Sequence, residues 1–152
     1  LSYPITAVKE SNPELLEQIQ GPILEELEKL FVVFNPLGIK DMPLTYESEI
    51  KKMPDLVGQL TEQVKNTIKQ RTVERDYQFI DQSDAVVVFY LTDKLSPGVL
   101  AEIYYAYRNQ KPVYMVFPGS KSPFIEGATS FIEKNVEAIM SRLRKLAINE
   151  KS

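Results

Sequence analysis

The 152-residue chain is 43% apolar and 10% aromatic, enough for a single domain with a core on both sides of a sheet. Its 21 acidic and 18 basic residues leave a net charge of -3, without the basic excess that neutralises a nucleic-acid backbone, so no nucleic-acid polymer is expected as a partner. Cysteine and histidine are both absent, which excludes disulfides, thiol catalysis and imidazole chemistry and leaves carboxylates as the side chains best suited to acid, base or nucleophilic work near neutral pH.

No stretch approaches the roughly 20 apolar residues of a membrane span, and no leader pattern opens the chain, so a soluble cytoplasmic protein with no membrane partner is expected. Leu1 is not an initiator methionine and stands directly in a strand-like run, so residues 1–152 are expected to be one domain cut from a longer chain.

In chain order, Leu1 to Ile5 predicts a first strand. Ser11 with Glu14 gives a capping-box start to a helix with Pro13 in its first turn, and Gly21-Pro22 is expected to kink or divide that helix. Phe31 to Phe34 predicts a second strand, and Asn35 to about Pro54 a long irregular connection. Leu56, Leu60, Val64, Ile68, Val73, Tyr77 and Ile80 mark a helix ending near Gln82. Ala85 to Leu91 is uninterruptedly apolar, as in a parallel strand buried on both faces. Ser96-Pro97 begins a helix running to about Asn109, Pro112 to Phe117 forms a fourth strand, and a Gly, Ser and Pro-rich loop follows. Ser130 to Ile132 predicts a short fifth strand, and Val136, Ile139, Met140 and Leu143 a closing helix. The alternation implies an α/β three-layer sandwich around a five-stranded parallel, Rossmann-like or flavodoxin-like sheet, with its site beyond the carboxyl ends of the strands, after Ile5, Phe34, Leu91 and Phe117.

Glu102 falls on the border of the sheet-facing stripe Val99, Ile103 and Ala106, where a carboxylate is half buried; an acid in an early helical turn is also simply favoured by the helix dipole. Asp76 lies among Val73, Tyr77 and Ile80 on the helix leading into the central strand, beside Glu74 and Arg75, a run that a solvated helix face would also explain. Asp84 reads as a turn residue at the amino end of that strand. Ser96 reads as an N-cap, and the same helix start, with Gly98 allowing close approach, can receive an anion. The loop Pro118 to Ser122 offers amides and Lys121 for an anion, or is only a turn.

Arg75-Asp76, Asp84 to Val88, Ser96-Pro97-Gly98-Val99-Leu100-Ala101-Glu102, Lys111-Pro112-Val113 and Ser122 to Ala128 occur in an order that resembles the nucleoside 2-deoxyribosyltransferase superfamily. Ser-x-Gly-Val-x-x-Glu is more similar to the branch of 2′-deoxynucleoside 5′-monophosphate N-glycosidases than to the base-exchanging transferases. The resemblance spans about residues 75–128. It implies Glu102 as nucleophile, Asp76 as the carboxylate that positions the sugar and assists the departing base, and Ser96, Gly98 and Ser122 around the 5′-phosphate, Ser122 reaching into a neighbouring subunit of a homodimer. Tyr3 and Ile5, at the end of the first strand, complete the implied substrate contacts, although that strand carries neither the glycine nor the arginine usual in the family. Tyr104 stands where the family often has a small residue. No metal or redox cofactor is implied. The expected chemistry is hydrolysis through a covalent deoxyribosyl intermediate, with carboxylates roughly 5 Å apart as in retaining glycosidases. A base-exchanging transferase and a non-catalytic nucleotide sensor are the alternatives.

Overall fold

The computed structural model describes residues 1–3, 8, 12–36 and 58–150, with the backbone alone for residues 58–61, 68 and 150. The first helix, α1 (Pro13–Gln18), has Asn12 rather than Ser11 as its cap. The Asn12 carboxamide oxygen accepts from the Leu15 amide at 3.1 Å, and Pro13 occupies the first turn, where no amide is needed. Ser11 itself lies outside the described residues. The chain then passes through a π-helical turn, Ile19–Ile23, into α2 (Leu24–Leu30). Gly21 leaves the helical region there (φ -103°, ψ -105°) and Pro22 follows it, so the expected kink is present.

Helix α3 (Gly58–Gln82) leads into β1 (Val86–Phe89), and α4 (Pro97–Arg108) joins β1 to β2 (Val113–Val116). A short helix, α5 (Pro123–Ala128), precedes β3 (Phe131–Glu133), and α6 (Val136–Glu150) closes the described chain. The three strands are parallel in the order β1-β2-β3, with Val86 opposite Val113 and Tyr114 opposite Phe131. Outside β1, Ser2 makes a single parallel bridge to Val88. Its amide donates to the Val87 carbonyl at 2.8 Å, and its carbonyl accepts from the Phe89 amide at 2.9 Å.

The α/β class and parallel pairing follow the sequence pattern, but the described sheet has three strands rather than five. Of Leu1–Ile5, the described residues 1–3 contribute the Ser2 bridge, and residues 4–7 lie outside the described part. Among the described residues the segment Phe31–Phe34 forms no ladder: Val32 is 93% exposed, and the Leu1 nitrogen donates to the Phe34 carbonyl at 3.0 Å. Apolar, β-branched composition makes a strand only when a neighbour supplies the partner groups. The long connection expected over residues 35–54 falls outside the described residues beyond Pro36.

Side chains alternate across the sheet. Val86, Val88, Val113 and Met115 pack with Ile80, Val99, Ile103, Ala106 and Ala128 on the face covered by α3, α4 and α5. Phe89 and Val116 pack with Tyr3, Ile19, Leu27, Ile139, Met140 and Leu143 on the other. The uninterrupted apolar run of the central strand is thus used on both faces, and each fully buried Val or Ile contributes about 1.5–3 kcal/mol. Lys111 holds the return from α4, its Nζ donating to the carbonyls of Asp81 and Ser83 at 3.1 and 2.8 Å. Gln110 takes the left-handed conformation (φ 58°) that ends α4, and the Lys111 amide reaches back to the Ala106 carbonyl at 2.9 Å.

Candidate active site

Because Val99, Ile103 and Ala106 point α4 into the core, the residues between them emerge on its two flanks. On one flank Tyr105 stacks on Tyr77 of α3 with ring centroids 4.1 Å apart, and its hydroxyl donates to both oxygens of Asp81 at 3.0 and 3.1 Å. Glu102 occupies the same flank one turn nearer the helix start and is half-buried. The Ser2 hydroxyl donates to Glu102 Oε2. Ser2 is 3% exposed and held on both backbone sides by β1, so this donor is fixed from the sheet.

Burial is the main influence on the Glu102 carboxyl and pushes its pKa above the ordinary carboxylate range. The Ser2 hydrogen bond works against that rise, the negative charge of Asp76 adds to it, and the positive charges of the Leu1 amino group and then Arg75 moderate it. Asp76 is therefore close enough to Glu102 to be felt electrostatically. On α3 its Oδ1 accepts from Arg75 Nε and Nη2 at 3.1 and 2.9 Å, with both side chains largely covered. Asp76 lines a cleft of about 30 Å³ together with Ser2, Phe34, Phe79, Ile80 and Ala85, room for about one water molecule. Ser2 lines this cleft and also touches Glu102, so it links the two acids.

The other expected site residues are distributed as follows. Ser96 precedes α4 as its cap residue, but its side chain makes no capping bond; its amide instead donates to the Tyr90 hydroxyl at 2.8 Å, and the Tyr90 hydroxyl donates to the Lys94 carbonyl at 3.0 Å. Gly98 is exposed, with open space where a Cβ would stand. Ser122 caps α5, accepting from the Phe124 amide at 3.4 Å. Tyr3 is 4% exposed and lies on the opposite face of the sheet from Glu102, its hydroxyl donating to Asn35 Oδ1 at 3.1 Å and accepting from Gln20 Nε2 at 3.4 Å. Ile5 lies outside the described residues. Asp84 is exposed at the amino end of β1, as its turn reading requires, and Lys121 pairs with Glu126 at 4.0 Å. The structure therefore gathers Glu102 and Asp76, and does not gather Tyr3 or Ser122 with them.

A second, larger concavity lies on the other flank of α4, at the carboxyl ends of β1 and β2. It measures about 810 Å³ and is lined by aromatic and aliphatic groups including Tyr90, Leu100, Tyr104, Phe117 and Phe124, with Ser122 at its edge. Tyr104 faces this cavity and not Glu102. On the acidic flank Ser2 was not singled out by the sequence, its signal being its alternation with Tyr3, and Arg75 entered only within the run Arg75-Asp76, without a role of its own. Among the described residues no three acids converge as a metal site. Comparison with models of protein families, with curated proteins and with solved structures finds no match to this chain.

Proposed function

We propose that the protein hydrolyses the N-glycosidic bond of a 2′-deoxynucleoside 5′-monophosphate, with Glu102 as nucleophile. The observation that supports this most is the pair of acids, carried by separate helices, in which a half-buried Glu102 feels the charge of Asp76, the latter lining a small cleft with Ser2. A Glu102 oxygen attacks the anomeric carbon of the sugar as the carbon–nitrogen bond breaks, and the bonding pair leaves with the base, which takes up a proton. Asp76 holds the sugar and assists the departing base. Water then attacks the same carbon of the glutamyl ester, gives a proton to solvent, and releases deoxyribose 5-phosphate and the free Glu102 carboxylate. The Ser96 hydroxyl, which makes no capping bond at the start of α4, and open Gly98 favour the 5′-phosphate there. On this reading the protein works as a homodimer, with Ser122 directed to its partner's substrate. The sheet it entails has five strands, sandwiched between helices, with the Phe31–Phe34 segment outermost beside Leu1; the Leu1 to Phe34 bond is the pairing such an edge would extend.

The test is incubation with each 2′-deoxynucleoside 5′-monophosphate and chromatography for free base. Wild-type protein releases base from at least one, and Glu102→Ala lowers the rate by about 10⁴-fold or more. Release that persists in Glu102→Ala refutes the nucleophile. Exchange of an added free base into nucleotide would make it a transferase, and binding without any release would make it a sensor.

A further inference from the structure

Ser2 is an unusual residue to find buried at a sheet edge. A serine hydroxyl that is 3% exposed must have a partner or cost about 1–3 kcal/mol, and here the partner is the carboxylate of Glu102 on a helix that follows the neighbouring strand. The bond joins two elements that approach only in the folded sheet. Its donor side is held at the backbone, because the Ser2 amide and carbonyl are both tied to β1 at 2.8 and 2.9 Å. Its acceptor side is a flexible glutamate with three rotatable bonds. A fixed donor on one carboxylate oxygen selects one rotamer and leaves the second oxygen for another contact. The same Ser2 lines the small cleft together with Asp76, so the bond ties the Glu102 carboxylate to a wall of that cleft.

We infer that Ser2 is a positioning residue for Glu102: its hydroxyl holds Oε2 in place and so assigns Oε1 as the oxygen that attacks the sugar. The inference rests on the proposed glycosidase reading for its consequence in turnover, while the contact itself can be read without turnover. Removing the donor frees the Glu102 rotamer and also removes an influence that holds the carboxyl pKa down.

The experiment pairs two readouts on Ser2→Ala, with Ser2→Thr as the conservative variant that keeps a hydroxyl. In the first, the Glu102 carboxyl carbon is followed by ¹³C NMR as pH is varied, in the absence of any nucleotide. Its midpoint is expected to rise in Ser2→Ala and to return toward wild type in Ser2→Thr; a midpoint unmoved in folded Ser2→Ala overturns the inference. In the second, base release is measured against pH. Ser2→Ala is expected to lose about 10- to 100-fold in kcat with little change in KM, and to carry its acid limb to higher pH. Unchanged kcat overturns the positioning role. Should wild-type protein release no base from any nucleotide, the glycosidase reading fails and the assignment of Oε1 as attacking oxygen fails with it, while the NMR midpoint still decides whether Ser2 holds Glu102.

Discussion

On one flank of α4, Leu100 and Tyr104 look into a cavity of about 810 Å³ walled by aromatic rings; on the other, Glu102 is bonded to Ser2, which with Asp76 lines a cleft of about 30 Å³. Size alone would favour the first as the seat of chemistry. Yet its lining holds hydroxyls of Tyr90, Thr92, Tyr104, Ser120 and Ser122 but a single carboxylate, Asp93, with no second acid among the described lining residues, and its rings pack closely. Tyr90 and Phe117 meet edge to face at 5.6 Å, and Phe117 folds over the Gly119 backbone so closely that a Cβ there would lie 2.6 Å from its ring. The small flank gathers charges that interact through a poorly solvated space, where they are worth more than at the surface. The lesson is that reactivity here follows the density of unlike polar groups, whereas volume follows the aromatic packing beside them.

The contrast is most sharply tested at Asp76. Asp76→Asn is expected to lower base release by about 10²- to 10⁴-fold and, because the Asp76 charge raises the Glu102 pKa, to move the acid limb of kcat/KM to lower pH. A limb that stays in place would separate the two acids. At the other flank, Gly119→Ala must push the Phe117 ring aside, and a loss of about 1–3 kcal/mol is expected in thermal melts, with base release by the folded protein at the wild-type rate. A fall in turnover without unfolding would move the chemistry toward the large cavity. The smallest effect concerns stability alone. A pKa raised by folding means that the stability linked to protonated Glu102 is fully present below the unfolded-state value of about 4.3 and is lost as pH rises through the folded-state pKa. Glu102→Gln, which cannot ionise, is therefore expected to raise Tm by about 2–4 °C near neutral pH, a gain that vanishes in acid; calorimetry at both pH values checks it.

Much of this arrangement was legible before any coordinates. Ala85 to Leu91 announced β1 because a two-sided core demands an unbroken apolar run, and Ser96-Pro97 announced the start of α4. Gly21-Pro22 announced the break between the first two helices, since no helix passes both residues unbent. Three features were not legible. Helix α5 is only six residues long and contains Gly127, too short for a period to stand out from a turn-rich loop. Phe31 to Phe34 has strand composition, but pairing depends on what lies alongside, and composition carries no information about that. Ser2 escaped notice because its importance comes from a contact with a residue 100 positions away, while Tyr3, the more conspicuous neighbour, turns to the opposite face.

That last pair has a geometric consequence. Ser2 and Tyr3 are adjacent links of one extended chain, the first fastened to Glu102 and the second sunk among Ile19, Leu27 and Phe89 beneath the kinked helical pair. The kinked pair and the carboxylate, on opposite faces of the sheet, are thus separated by two consecutive residues held to β1 at the bridge to Val88.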